Sequence, residues 1–322
     1  MPDVLGAGFE QLTLPLGEDD EGELCATLVR HRPMPRLLAA LGQRSLRDVD
    51  VLYVHGWNDY FFQRELAQFW TARGARFFAL DLRKYGRSIR PGQTRGFITD
   101  LADYGVEIEA ALTEIGSAGR RVFLLGHSTG GLVLSLWAAR HPGRIDALIL
   151  NSPWLETQGS LVARALMAPI VKVGSLVNVK ATLPQVDAGF YARSIDKDRD
   201  GEWRYNHDWR LDQGAPPKTG WAAAIINGHA QVAAGLNIDV PILTLLSKRS
   251  HISPVWSDEM LRSDVVLVVD DIAKRATGLG RTSTIVRLDG ALHDVFLSAP
   301  AVRAEAYRQL DLWLSGYGRR SV

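Results

Sequence analysis

The most constraining stretch of this chain runs from Arg121 to Arg140. A short apolar run, Val122-Phe123-Leu124-Leu125, passes into the apolar helical pattern Gly130–Arg140 through Gly126-His127-Ser128-Thr129-Gly130. A strand that becomes a helix across so few residues needs a sharp, crowded turn, and glycines on both sides relieve the crowding. Such a turn lifts one side chain, Ser128, into the open. It also leaves the amide of Thr129 at a helix N-terminus, where free N–H groups can hold a negative oxygen.

The rest of the chain repeats the strand-then-helix rhythm expected of a mostly parallel sheet flanked by helices, an α/β fold. Strands are expected near Phe9–Leu14, Leu24–Arg30, Asp50–Val54, Arg76–Asp81, Arg121–Gly126, Ile145–Leu150, Pro241–Leu246 and Thr284–Leu288. Helices are expected over Tyr60–Arg73, Asp100–Ile115 (capped by Asp100 or Thr99), Gly130–Arg140, Asp270–Leu279 and Ala301–Leu314. The rhythm stops between about Trp154 and Ile238, a stretch rich in Trp, Pro and Gly. Sites in such sheets lie at the carboxyl ends of the strands. The expected organisation is therefore a core of residues 1–153 and 239–322, with a mainly helical cap, residues 154–238, inserted over that end.

Several function classes are excluded or disfavoured. The formal net charge is +1 with no long run of one sign, so nucleic acid binding lacks the clustered basic face it needs. A single cysteine, Cys25, excludes an intrachain disulfide and a zinc–thiolate centre. No basic start followed by an apolar run opens the chain, and Leu161–Val177 is too interrupted to span a bilayer. A cytoplasmic protein is the expectation, with its oligomeric state left open.

Ser128 as a nucleophile needs a base, an orienting acid and an oxyanion site. Val54-His55-Gly56-Trp57 ends the third strand, and the backbone amide of Trp57 is the natural second oxyanion donor beside that of Thr129. His55 is expected to tie that loop down through hydrogen bonds. His293 follows the last strand and precedes the last helix, a loop that reaches the nucleophile; His251 is its competitor. The acid should fall between serine and histidine in the chain. The usual place, just after Pro241–Leu246, reads Ser247-Lys248-Arg249-Ser250-His251 and holds no carboxylate. An enlarged loop, Ser247–Arg262, followed by Asp264 answers this. The rivals Asp270 and Asp271 suit the first turn of the following helix, where they favour its dipole.

Together these residues resemble the monoacylglycerol lipase and lysophospholipase-like branch of the α/β-hydrolases. Asp81-Leu82-Arg83-Lys84-Tyr85-Gly86-Arg87-Ser88 is similar to that branch's D-x-R-x-x-G-x-S loop, and Phe97-Ile98-Thr99-Asp100 resembles its helix start. The resemblance covers nearly the whole core and thins out in the cap. It implies hydrolysis of lipid-like monoesters without a cofactor or metal, with a cap that chooses the substrate. An aspartate nucleophile, as in dehalogenases and epoxide hydrolases, is excluded by Ser128. Trp154, Leu166 and Met167 are the candidate substrate contacts, because the apolar stretch around the last two must bury more than one face or rest transiently on lipid. Two alternatives share these residues: a ligand-binding protein that kept the fold without turnover, and an acyltransferase using the same triad.

Overall fold

The computed structural model describes residues 1–33, 45–157, 171, 174–184 and 187–317. Its centre is an eight-stranded sheet of order β1-β2-β4-β3-β5-β6-β7-β8. The strands are β1 (Phe9–Asp19), β2 (Gly22–His31), β3 (Val49–Val54), β4 (Arg76–Asp81), β5 (Arg121–His127), β6 (Ala147–Asn151), β7 (Ile242–Ser247) and β8 (Ser283–Leu288). The pairings β1–β2 and β2–β4 are antiparallel. All the others are parallel.

Every residue of β3, β6 and β7 is buried, as expected of parallel strands covered on both faces. Alternate side chains go to opposite faces. Leu52, Leu124, Leu148 and Ile242 join the apolar cluster under α2 (Gly105–Ile115) and α3 (Thr129–Arg140). Val51, Phe123, Ile149 and Leu243 join the cluster under α1 (Arg64–Ala72) and the C-terminal helix Pro300–Tyr317. The edge strand β1 is largely exposed, and β8 at the far edge is half-buried.

Two boundaries differ from the sequence expectation for local reasons. The helix expected from Tyr60 starts only at Arg64, because Phe61 donates its N–H to the Asp81 carboxylate and so leaves the helical path. Asp100 does cap, but it caps the short turn Leu101–Tyr104 that leads into α2. The stretch between β6 and β7 contains α4 (Phe190–Ile195) and α5 (Thr219–Ala234). Trp221, Ala224, Ile225 and Val232 of α5 belong to the same apolar cluster as α3. Gly228 permits that approach: a Cβ there would stand 2.8 Å from a Leu101 methyl and 3.2 Å from one of Leu136. α3 is therefore clamped between sheet and α5, which explains why its residues from Thr129 to Ala138 are all buried.

Candidate active site

β3 lies between β4 and β5, so the strand order reverses there, and sites in such sheets lie at the carboxyl ends of the strands. Among the described residues, five non-glycine residues have positive φ: Asn58, Lys84, Ser128, Ser152 and Asn237. The first four follow the ends of β3, β4, β5 and β6 in turn. Backbone strain is thus concentrated on one rim of the sheet, as is usual at functional sites.

Ser128 takes φ 50° and ψ −118° between β5 and α3. The turn closes so tightly that a Cβ on Gly126 would stand 2.7 Å from the Gly130 carbonyl oxygen, and one on Gly130 would collide with the carbonyls of Val54 and His55. That last contact brings the end of β3 against the start of α3. Gly56 is equally close, with a virtual Cβ 3.0 Å from the Ser128 Cβ. The amides of Trp57 and Thr129 are thereby brought to the same turn, and among the described residues neither donates to a protein acceptor.

His55 holds this loop in place. The Leu82 N–H donates to its Nε2 at 3.1 Å, so the ring proton sits on Nδ1, which donates to the Gly56 carbonyl at 2.7 Å. Burial lowers its pKa and keeps it neutral. Next to it, the Asp81–Ser88 loop is locked by buried charge. Asp81 accepts from the Phe61 and Arg87 amides and from the Arg87 guanidinium, which also grips Asp3. Gly86 is required there, because a Cβ would stand 2.6 Å from Asp81 Oδ2.

His293 donates from Nδ1 to Asp264 Oδ2 at 2.9 Å, with both side chains buried. The other oxygen of Asp264 accepts from the Val266 and Leu267 amides, both at 2.8 Å. A proton fixed on Nδ1 leaves Nε2 as the basic nitrogen. The imidazole lies between two rings, that of His127, next to Ser128, at 4.9 Å and that of Tyr191, on α4, edge-on at 5.2 Å. The structure therefore brings Ser128, His293 and Asp264 to one rim. Asp270, on the exposed start of the following helix (Val269–Ala276), pairs instead with Arg287. The competing His251 bonds to Ser257.

Three supporting residues escaped the sequence reading. Asn151, at the end of β6, accepts from the Ser128 amide and from His127 Nδ1 through its carbonyl. Its carboxamide donates to Asp294 at 2.6 Å and accepts from the Val295 amide. Gln63 donates to the other Asp294 oxygen at 3.0 Å. The serine turn and the histidine turn are thus stitched through one asparagine. The available signals were a polar residue closing an apolar strand and a second acidic residue beside His293.

Trp154 donates its backbone N–H to the Ser128 carbonyl at 3.0 Å, and its half-buried ring faces Trp221 and His229. Leu166 and Met167 lie outside the described residues. Ser128 is 7% and His293 2% exposed, so the site is nearly closed, with Tyr191 against the imidazole. Among the described residues no helix is long and apolar enough to cross a membrane.

A family model described as serine aminopeptidase, S33, matches residues 47–297. Monoacylglycerol lipase of Mycolicibacterium smegmatis is 27% identical over 66% of this chain and 73% of its own length. Human monoglyceride lipase is 25% identical over 70% of each. The crystal structure of Paleococcus ferrophilus monoacylglycerol lipase superposes with a TM-score of 0.63 at 18% identity, over 96% of this chain and 99% of that one. The Saccharomyces cerevisiae monoglyceride lipase structure gives 0.62 at 17%, over 95% and 96%. The chain belongs to the serine aminopeptidase S33 family of α/β-hydrolases, as a hydrolase of the lipase and esterase type.

Proposed function

We propose that this chain hydrolyses lipid-like carboxylic monoesters, of the monoacylglycerol or lysophospholipid type, through an acyl-enzyme on Ser128. His293 Nε2 takes the serine proton as the hydroxyl oxygen attacks the ester carbonyl, and the amides of Trp57 and Thr129 receive the oxyanion. The intermediate collapses, His293 protonates the leaving alcohol, and water repeats the sequence to release the acid. Asp264 holds the imidazole in the reactive tautomer throughout. The observation that carries this reading is the buried 2.9 Å bond from His293 to Asp264 on the same rim as the strained Ser128 turn. The ester class is supported by relatives named as monoacylglycerol lipases. Selection of the substrate falls to residues 154–238 in this reading, with Trp154, Leu166 and Met167 on the acyl side.

Ser128→Ala should lower kcat by about 10⁶, because triad members act as a unit. Each acyl methylene buried adds about 0.8 kcal/mol. On an ester panel, kcat/KM is therefore expected to be higher for medium or long acyl chains than for acetyl. Equal or better acetyl turnover would reduce the reading to a general carboxylesterase. Failure of the folded protein to label with a fluorophosphonate would turn it into a binding protein. Product analysis with a competing alcohol separates hydrolysis from acyl transfer.

A further inference from the structure

The loop that carries Trp57 is attached to the segment between β6 and β7 by contacts that the chemistry above does not use. Asn58, with φ 51°, donates its carboxamide to the Leu211 carbonyl at 2.7 Å and accepts from the Leu211 amide at 3.3 Å. The Tyr60 hydroxyl accepts from the Asn206 amide at 2.7 Å, and its ring meets Trp209 edge-on. Between these contacts lies a buried ion pair: Arg210 Nε stands 3.3 Å from Asp59 Oδ1, with side-chain exposures of 6% and 5%. The Arg210 guanidinium also lies over the rings of Tyr191 and Tyr205, 4.9 Å from each centroid. Tyr191 in turn covers the His293 imidazole. One side chain therefore touches both the oxyanion loop and the ring that lies against the base.

We infer that Arg210 is a positioning residue that holds the Trp57 amide in register with the His293 imidazole. Asp59 is almost fully buried, and besides the Arg210 charge it feels those of His127 and Asp294, burial being what pushes its carboxyl up. Without the guanidinium, Asp59 would be a buried charge beside a second acid, and it must take a proton or move. It stands two residues from the oxyanion donor, next to a residue already held at positive φ. Movement there shifts the Trp57 N–H, and a displacement of about 1 Å costs roughly 100-fold in rate.

This inference rests on the ester-hydrolase reading, so its test must separate the two. An ester and its thionoester, alike in acyl and leaving groups, differ only in the atom the oxyanion site must hold. Sulfur is larger and accepts hydrogen bonds weakly, so an intact site prefers the oxoester. Arg210→Met is expected to lower kcat on the oxoester by about 10- to 100-fold with little change in KM, and to erode the oxo-over-thiono preference. Asp59→Asn, which changes charge but hardly changes shape, should erode the same preference and carries the test if Arg210→Met does not fold. Arg210→Lys should recover part of it. An unchanged preference in the folded variants, whatever happens to Tm, would overturn the positioning role. Ser128→Ala is run alongside: if it keeps turnover, the parent reading falls and this one with it, whereas a dead Ser128→Ala with an unmoved preference removes Arg210 alone.

Discussion

Around Ser128 the backbone leaves no room for alternatives: Gly126, Gly130 and Gly56 are packed where a single added carbon would meet main chain or the serine itself. Around Asp264 the arrangement is different. Its amide donates to the Arg249 carbonyl, its carbonyl accepts from the His251 amide, and Ser250 Oγ pins Leu267 and Val269. One loop is held by exclusion, the other by a set of hydrogen bonds. A turn held by exclusion ties chemistry and stability together, because any disturbance moves the backbone. A loop held by hydrogen bonds can lose one chemical group and keep its shape.

Of the changes that probe this contrast, the one with the largest expected effect is at Asp264. Asp264→Asn should lower kcat by about 10⁴ through loss of the correct imidazole tautomer, with Tm nearly unchanged. Asp270→Asn and Asp271→Asn should stay close to wild type in the same assay. Loss of activity in Asp271→Asn with retention in Asp264→Asn would reverse the assignment.

Gly130→Ala should break the contrast from the other side. The new methyl meets the Val54 and His55 carbonyls, so kcat should fall at least about 100-fold. Tm should fall with it, since overpacking costs about 1–3 kcal/mol. Full activity at a lowered Tm would show that the turn tolerates movement and is not held by exclusion.

A smaller effect extends the comparison to the rim. Glu21 is half-buried against Lys84, Thr94 and Lys180, the last from the segment after β6. Burial alone would raise its pKa, but the hydrogen bonds from Lys84, Thr94 and Lys180 outweigh that and hold it at about 2, against an ordinary 4.5. A carboxyl held low in the folded state binds its proton more readily when unfolded, so its stabilisation is complete above about pH 4.5 and fades toward pH 2. The difference in urea midpoint between wild type and Glu21→Gln should therefore shrink from pH 6 to pH 3. A constant difference would assign the effect to packing.

What could be read from the sequence follows the same division. The serine turn was legible because its determinants are local, an apolar run and two glycines within a few residues of Ser128. His293 was legible from its place between the last strand and the last helix. Asp264 needed the expected order of the triad, since nothing near it in the chain marks a partner for His293. The Asp59–Arg210 pair left no trace, because two residues far apart in the chain meet only through the fold, and no periodicity records that. The packing partner of α5 is illegible for a similar reason. Its small residues, Ala222, Ala223 and Ala224 among them, do not reveal which neighbour they face, and only the close approach of Gly228 to Leu101 and Leu136 sets it against α3.

The chain leaves the sheet after β6 and returns to it as β7, and these two strands are direct neighbours, with Leu148 opposite Ile242 and Asn151 opposite Leu245. Because the two strands are parallel, the excursion between them is a crossover that leaves at the carboxyl end of β6 and re-enters at the amino end of β7, three residues further back along the pair. The entropy of closing such a connection grows only with the logarithm of its length, about 0.6 kcal/mol per doubling. The length of chain between Leu155 and Lys218 can therefore change at little entropic cost, while Ile195, Trp203 and Lys180 tie parts of it to the body. The constraint is that a replacement must still present an arginine to Asp59 and deliver the chain to α5.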